Sequence, residues 1–256
     1  MAHIQTPNFG MVGLGLRREM LDELDGAVPK QIEFMEVAPE NWLKLGGRFE
    51  KQFKQLTNTN YFVCHGLSLS IGSPEPLDLE FVKSLKPFFD THNIKVYSEH
   101  LSYCSGKGHM YDLMPIPFTE EAVNHVVSRV KQVQDILEQA DCQLLLDVNN
   151  IYVNSVNHGY DAHAFLAALP TNRIAYAHVA GHYNEAEDLI IDTHGTDVID
   201  PVWQLLDSAY ETHGVFPTLL ERDFNIPPIN VLTKELDIIH QLQAKHLQRL
   251  STEQSA

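Results

Sequence analysis

Short apolar runs alternate with longer segments of helical periodicity along almost the whole chain. Over residues 78–89 and again over 120–137, apolar residues recur every three or four positions, which is the spacing of one helix face. A last long helix is predicted from about Ile229 to Leu250. Between the helices, the apolar runs have the length of buried strands. We predict seven strands: Val12–Leu16, Phe34–Ala38, Tyr61–Leu67, Lys95–Leu101, Gln143–Val148, Ile174–Val179 and Thr218–Glu221.

The alternation of strands and helices predicts parallel strands covered by helices. Both a doubly wound open sheet and a closed barrel fit this order. Polar residues follow nearly every predicted strand, which favours the barrel. In a (β/α)8 TIM barrel all the carboxyl ends of the strands converge on one site, whereas in an open sheet only the strands near the switch point would carry such residues. We expect a single barrel domain over residues 1–256.

Charge and cysteine content narrow the function classes. The formal net charge of −16 repels phosphate backbones, so we expect no nucleic-acid partner. No apolar run reaches membrane-spanning length and no signal peptide is recognisable, so we expect a cytoplasmic protein without a membrane partner. Cys64, Cys104 and Cys142 form no C-x-x-C pair and are expected to be buried thiols. The exposed helix faces show no heptad pattern, so a monomer or weak dimer is expected.

The polar residues at the predicted strand ends have the chemistry of metal ligands. Each lies in or just beyond an apolar run, where an unpaired charge is costly. Because a carboxylate can bridge two cations, this set suits two or three metal ions better than one. Asp192 and His194 are two residues apart, so in an extended segment both would reach the same ion. The candidates are His65, Glu99, His100, Asp147, Asn149, Asn150, His178, His182, Asp192, His194 and Glu221.

Each candidate also has a purely structural interpretation. A buried histidine is more often a hydrogen-bonded core residue than a ligand. Asp147 could cap a loop, Glu221 could pair with Arg222, and the Asn149–Asn150 pair could belong to a turn. Six strand ends with such residues favour the metal cluster instead. The remaining histidines considered are expected on loops or helix faces: His109, His125, His158 and His213.

Several strings resemble one bacterial family. They are "LGLR", "PEN", "HGLSLSIG", "SEHLSY", "LLLDVNNIYVNSVNHG", "HVAGH", "IDTH", "DPVW" and "LLERD". The family is that of the multinuclear non-heme iron-dependent oxidative enzymes, best known from the methanobactin-biosynthesis oxidase. It is similar in fold to the xylose-isomerase-like TIM barrels, which include endonuclease IV. The resemblance extends over almost the whole chain, and "LLLDVNN" is its most specific string.

This resemblance implies a cluster of two or three iron ions and O2-dependent oxidation of a ribosomally made precursor peptide, often at Cys. It also implies a small partner protein that recruits the peptide leader. His182, Glu99 and Asn149 are candidates for orienting the ligands or transferring protons. Asn150 stands where endonuclease IV relatives have a histidine. The metal ligands that the resemblance implies are His65, His100, Asp147, Asn150, His178, Asp192, His194 and Glu221.

Two other functions fit the same ligand types. One is a zinc- or manganese-dependent hydrolase or sugar isomerase of the same barrel class. The other is a metal-binding or scaffold protein without catalysis. Consumption of O2 or a bound substrate peptide would separate the oxidative enzyme from both.

One strand of the family that this chain resembles has no counterpart in this sequence. That strand, which carries a bridging Glu, precedes "LLLDVNN", but here "KQVQDILEQADCQLLLD" runs directly from helix to strand. One βα unit of about 30 residues is therefore absent near Leu137–Glu138. Either the protein lacks the unit, or the residues are missing from this sequence. We expect the latter, because a barrel without one strand exposes two edges. An intact mass near 29.0 kDa would contradict this expectation.

Overall fold

The computed structural model describes residues 9–105, 109–117, 119–137 and 143–253. The chain divides into two compact units. The first consists of Met1–Met35 and Gln143–Ala256, and the second of Glu36–Cys142. The expectation of a single domain stays a prediction.

The described residues form eleven strands and eight α-helices. The strands are β1 (Val12–Gly15), β2 (Phe34–Val37), β3 (Tyr61–Gly66), β4 (Tyr97–Glu99), β5 (Ser102–Ser105), β6 (His109–Pro115), β7 (Leu144–Asp147), β8 (Ile174–Ala180), β9 (Tyr183–Ala186), β10 (Leu189–Ile191) and β11 (Thr218–Glu221). The helices are α1 (Leu21–Leu24), α2 (Gly47–Thr59), α3 (Leu79–His92), α4 (Glu120–Leu137), α5 (Val148–His158), α6 (Ala162–Ala167), α7 (Asp200–His213) and α8 (Ile229–Glu253).

Seven strands form one sheet in the order β4-β3-β2-β1-β11-β8-β7. Pairing is parallel between β1 and β11, between β11 and β8, and between β7 and β8. In the second unit, β3 pairs in parallel with β4. These are the seven predicted strands, with helices between them, so the predicted (β/α) barrel class is confirmed with seven strands rather than eight. The predicted junction lies at the end of α4, and residues 138–142, with Cys142, lie outside the described residues.

Aromatic packing holds the first unit together. The rings of Phe9 and Phe34 meet edge to face with centroids 4.8 Å apart, and Tyr176 packs on both. Gly13 lies under Phe34, where an added Cβ would come within 2.4 Å of the ring. On α8, the Gln243 side chain donates to the Met11 carbonyl at 2.9 Å. These contacts hold β1, β2, β8 and α8 in position.

The second unit has an aromatic cluster around Phe53 of α2. The Phe53 ring lies 4.3 Å from Trp42, 5.4 Å from Phe62 and 6.0 Å from Phe88, measured between centroids. Cys64 and Cys104 are free and buried, as expected. Burial raises the pKa of the Cys64 thiol well above its ordinary value, so this thiol stays protonated.

Two antiparallel hairpins, β5–β6 and β9–β10, interrupt the predicted alternation. The apolar run before Asp192 is β10, and Leu189 and Ile191 in it are 46% and 44% exposed. His109, expected on a loop or helix face, begins strand β6. No helix among the described residues is long and apolar enough to cross a membrane.

Candidate metal centre

Neighbouring parallel strands bring the ligand candidates of the first unit together. Asp147 at the end of β7 is paired in register with His178 of β8. On the other side of β8, His178 is paired with Leu219, two residues before Glu221 at the end of β11. Parallel strands present their carboxyl ends at one edge, so these three side chains start from adjacent positions.

Glu221 is the centre of a group of charged contacts. Its Oε2 atom lies 3.2 Å from His178 Nδ1 and 3.2 Å from His194 Nδ1. Burial would raise the pKa of Glu221, but the two imidazoles hold it well below the ordinary value. Burial would lower the pKa of His194, but Glu221 and then Asp192 and Asp223 raise it well above the ordinary value. Without a metal ion, Glu221 is therefore ionised and His194 is protonated.

Asp147 caps a helix and also lies among the candidate metal ligands. It is the N-cap of α5, where its Oδ1 accepts from the Asn150 backbone N–H at 2.8 Å. One ligand atom from each of Asp147, His194 and Glu221 lies within 4.8 Å of the others. Burial, and next the Asp192 carboxylate, raise the pKa of Asp147 to about 6. A cation among these carboxylates would oppose that shift, because a nearby positive charge favours the ionised form.

The Asp192 carboxylate is held by three side chains. Asn149 donates to Oδ1 and Asn150 donates to Oδ2, each at 2.6 Å. His194 Nε2 lies 2.9 Å from Oδ1, yet this buried nitrogen makes no aligned hydrogen bond within the described residues. Asp192 and His194 therefore do meet, but the predicted extended geometry is wrong, because His194 has a left-handed backbone with φ of 50°.

His182, predicted to orient ligands or move protons, is linked to Asp192 through Asn149. Because the Asn149 amide nitrogen donates to Asp192, its oxygen is the atom 2.8 Å from His182 Nδ1. Nδ1 therefore carries the proton, and Nε2 holds the lone pair. Nε2 is buried and has no hydrogen-bond partner among the described residues. Burial lowers the pKa of His182, so the ring stays neutral and can accept a proton.

Arg17 and Asp223 belong to this site and were not predicted. Arg17 Nη2 donates to Glu221 Oε1 at 3.0 Å, and Arg17 Nε donates to Asp223 Oδ1 at 3.0 Å. Asp223 Oδ2 lies 3.3 Å from His194 Nδ1. The alternative pairing of Glu221 with Arg222 is not found. Arg222 instead donates to Asp197 and Glu235, and so closes the loop after His194.

In the second unit, His65 and His100 form a separate pair. Their Nε2 atoms face each other at 3.1 Å. His100 Nδ1 donates to the Gly66 carbonyl at 2.8 Å, and His65 Nδ1 lies 2.8 Å from the Ser98 hydroxyl. Since the Ser98 hydroxyl donates to the Cys64 carbonyl at 3.4 Å, it accepts from His65. Two Nε2 lone pairs at this distance repel each other unless a proton or a cation lies between them.

Glu99, another of the predicted positioning residues, lies partly buried beside this pair. Its carboxylate accepts from Tyr97 Oη at 2.8 Å and from the His100 backbone N–H at 3.1 Å. Burial, and next the Glu40 carboxylate, raise its pKa to about 8. Glu40 accepts from the backbone N–H groups of Leu67 and Ser68, which follow His65 and Gly66. The two carboxylates thereby hold the chain on both sides of the histidine pair.

The donor set fits hard or borderline divalent cations. The first unit offers three carboxylates and two imidazoles, Asp147, Asp192, Glu221, His178 and His194, and one of these imidazoles has a buried nitrogen without an aligned hydrogen bond. The second unit offers two facing imidazole nitrogens. Iron, manganese and zinc all accept such nitrogen and oxygen ligands. Glu36, which was not predicted as a site residue, is a further buried carboxylate on the sheet, in strand β2.

Two of the histidines expected on loops or helix faces have hydrogen-bond partners, and a third is exposed. His125 Nε2 lies 2.8 Å from the Ser73 carbonyl, and His213 Nε2 lies 2.9 Å from the Leu166 carbonyl. His158 is exposed at the end of α5. All three lie on helices, in agreement with the expectation of loop or helix-face positions.

Comparison with known proteins identifies relatives over nearly the full length. The family model described as RiPP precursor modification enzyme MbnB/TglH/ChrH matches residues 11–140 and 135–244. A UPF0276 protein of Shewanella loihica is 63% identical, covering 93% of this chain and 96% of its own. A UPF0276 protein of Nitrosospira multiformis is 52% identical, covering 94% and 96%.

Solved structures show the same fold at low identity. A xylose isomerase-like TIM barrel/4-hydroxyphenylpyruvate dioxygenase fusion protein has a TM-score of 0.57 at 14% identity, covering 95% of this chain and 44% of that one. A D-allulose 3-epimerase from Methylomonas sp. has a TM-score of 0.54 at 11% identity, covering 98% and 99%. The chain therefore has the xylose-isomerase-like TIM-barrel fold.

The same comparisons bear on the absent βα unit. The family model matches in two segments that meet at residues 135–140, where the unit was predicted to be absent. The Shewanella loihica alignment spans 266 positions, and 93% of this 256-residue chain fills only about 238 of them. That relative therefore has about 28 residues without a counterpart here, close to one βα unit.

Proposed function

Because this chain belongs to the MbnB/TglH/ChrH family of RiPP precursor modification enzymes, we propose that it is a multinuclear non-heme iron enzyme. It would use O2 to oxidise Cys, or another residue, of a ribosomally made precursor peptide. The observation that carries the proposal is the group formed by Asp147, His194 and Glu221, whose ligand atoms lie within 4.8 Å of one another. Two or three iron ions are proposed, and a small partner protein would recruit the peptide leader.

The ligands would be the side chains predicted from the sequence. His178, His194 and the three carboxylates of the first unit supply nitrogen and oxygen donors, as do His65 and His100 of the second. Asn150 would contribute its amide oxygen, which requires its amide to turn from the orientation in which its nitrogen donates to Asp192. A half-turn of an Asn side-chain amide exchanges its oxygen and nitrogen, which have nearly the same size and shape.

The chain's own residues would hold charge and move protons. Protonated His194 would have to release its proton to act as a ligand, since a ligating imidazole is neutral. Arg17 occupies Glu221 Oε1 and leaves Oε2 for the imidazoles or an ion. His182 Nε2 accepts a proton, and its Nδ1–H remains bonded to Asn149. When bound, iron would supply Lewis acidity toward a substrate thiol and one-electron chemistry with O2, which no side chain provides.

A divalent-metal isomerase or hydrolase is the second candidate. The fold shared with D-allulose 3-epimerase and the zinc- or manganese-compatible ligand set favour it. The net charge of −16 opposes phosphodiester substrates and permits neutral sugars. The identity of the metal separates this candidate from the oxidative enzyme.

Substitution of two ligands tests the proposal. Asp192→Ala and His178→Ala should each lower the bound metal per chain and abolish peptide-dependent O2 uptake. His158→Ala, which removes an exposed imidazole of the same unit, should leave both unchanged. Full metal content and O2 uptake in either ligand variant would refute the assignment.

A further inference from the structure

The β9–β10 hairpin presents an apolar face to solvent. Ile191 is paired directly with Tyr183, so these two side chains lie on the same side of the hairpin. The pairing has an irregularity between Leu189 and Ile190, but Leu189 is exposed like Ile191 while Ile190 between them is buried, which places Leu189 on the same open side. Tyr183 is 52% exposed, Leu189 46% and Ile191 44%. We call these three side chains the hairpin face. On the opposite side, Ile190 is buried, so the hairpin is anchored by one face and open on the other.

The two edges of the hairpin differ. Along β10, the Asn157 side chain both donates to the Ile190 carbonyl and accepts from the Ile190 N–H, each at 2.8 Å. Strand β9, in contrast, pairs with β10 alone within the described part of the chain, and its four residues are all exposed. An open strand edge is a row of backbone donors and acceptors, and its natural complement is another extended polypeptide.

The hairpin also carries negative charges that no basic side chain of the described residues pairs with. Glu185, Glu187 and Asp188 are exposed and make no ion pair among the described residues. No Lys or Arg lies between Arg173 and Arg222. A polypeptide that pairs with β9 would therefore be favoured by Lys or Arg side chains beside its apolar ones.

The position of the hairpin connects it to the candidate metal centre. Tyr183 directly follows His182, and Ile191 directly precedes Asp192. Phe224, which is 63% exposed, adds an apolar side chain against Gly195, next to His194. A strand on β9 would thus lie within a few residues' reach of the site.

We propose that β9 and the hairpin face bind the peptide substrate as an added, extended strand that carries alternating apolar and basic residues. This inference rests on the proposed function in so far as the substrate is a peptide. It names the surface that would recognise the segment flanking the modified residue.

The probe is a phage-displayed library of random linear peptides of about 12 residues, long enough for one strand. It is selected on the full-length, metal-containing protein, and selected peptides are synthesised with a fluorescent label. Their affinities are measured by anisotropy for the wild type, for Tyr183→Ser/Leu189→Ser/Ile191→Ser, and for Leu247→Ser. Leu247 on α8 is the matched control, because it is 52% exposed and outside the hairpin.

We expect selected peptides to share alternating apolar residues with Lys or Arg. The triple variant should weaken their binding at least about tenfold, and Leu247→Ser should not. N-methylation of alternate peptide amides should also abolish binding, because it removes the donors that pair with β9. Glu185→Lys/Glu187→Lys should weaken binding through charge.

Several results would overturn the inference. These are selected peptides without a shared pattern, affinities that the triple variant leaves unchanged, or N-methylated peptides that bind equally well. The other occupant to test is a second copy of the chain, and sedimentation velocity measures whether the protein dimerises. A wild-type dimer that the triple variant dissociates would assign the hairpin face to that second copy and overturn the inference.

Metal content and O2 uptake are measured on the same preparations. If peptides bind the hairpin but the protein contains no iron, the proposed iron-dependent function is refuted, whereas the proposal that the hairpin face binds a peptide is supported. If iron and O2 uptake are present but the peptides do not bind the hairpin, only the proposal that the hairpin face binds the substrate is refuted. Thermal unfolding of the triple variant, in which buried Ile190 is retained, confirms that it folds.

Discussion

Replacement of Arg17 by Gln should destabilise the metal-free protein and increase its response to metal. Arg17 donates to Glu221 at 3.0 Å and to Asp223 at 3.0 Å. Both carboxylates also contact His194 Nδ1. Without the guanidinium, the buried Glu221 carboxylate loses one charge-assisted partner, and its Oε1 atom is left to water or to a cation.

The size of the effect follows from exposure. A hydrogen bond to a buried charged group contributes about 1.5–3 kcal/mol, which applies to Glu221, whose side chain is 11% exposed. The side chains of Arg17 and Asp223 are 24% and 31% exposed, so solvent screening reduces the second contact to about 0.5–1 kcal/mol. The free energy of unfolding should therefore fall by about 2–4 kcal/mol. Arg17→Lys should lose about half of this, since an ammonium keeps the charge but not the fork.

The assay is urea denaturation with a chelator and again with a divalent metal. Arg249→Gln is the matched control, because Arg249 also binds a carboxylate, Glu211, at 2.8 Å, but both side chains are 60% exposed. Its loss should cost less than about 1 kcal/mol. Metal should restore more stability to Arg17→Gln than to the wild type, since a bound cation replaces the missing positive charge.

Two results would refute this reasoning. The first is an Arg17→Gln protein that, in chelator, is as stable as Arg249→Gln. The second is an equal stabilisation by metal in Arg17→Gln and the wild type, which would mean that Arg17 does not neutralise the carboxylates that bind the ion.

Three further predictions concern pH, packing and chain length. The pKa of Glu99 near 8, against 4.5 ordinarily, means that the folded metal-free protein holds this proton more tightly than the unfolded chain. Its stability should therefore fall between about pH 5 and pH 8, by up to about 5 kcal/mol, and Glu99→Gln should remove this fall in denaturation curves; an unchanged slope would contradict the shift. Gly181→Ala should cost about 2–3 kcal/mol of thermal stability and lower metal content, because its Cβ would lie 2.2 Å from the Thr196 carbonyl oxygen; wild-type values would be inconsistent with that contact. The natural protein should have an intact mass higher than 29.0 kDa by one βα unit, and a mass of 29.0 kDa would show that the unit is truly absent.

The candidate ligands on the strands could be predicted because charged or polar side chains rarely occur in or beside buried apolar runs by chance. Asp147 and Glu221 end apolar strands, His178 lies within the apolar strand β8, and parallel pairing makes the three neighbours. The class of fold followed from the same alternation of runs.

The remaining features depend on tertiary contacts that no local pattern encodes. Arg17 follows β1 as any surface arginine would, and only the fold places it 3.0 Å from Glu221, which lies 204 positions away in the sequence. Asp223 is equally ordinary in sequence. The run Leu189–Ile191 is as apolar as a buried strand, yet only Ile190 is buried, so apolarity alone could not distinguish a hairpin from a barrel strand. The left-handed backbone of His194 likewise has no signal beyond the glycine that follows.

The most direct test of the account is the metal content of the wild-type protein, purified without oxygen or added metal and measured by elemental analysis. Two or three irons per chain are predicted. Zinc or manganese at similar stoichiometry would favour the isomerase or hydrolase. A chain without bound metal would contradict the central claim that these carboxylates and imidazoles form a metal centre.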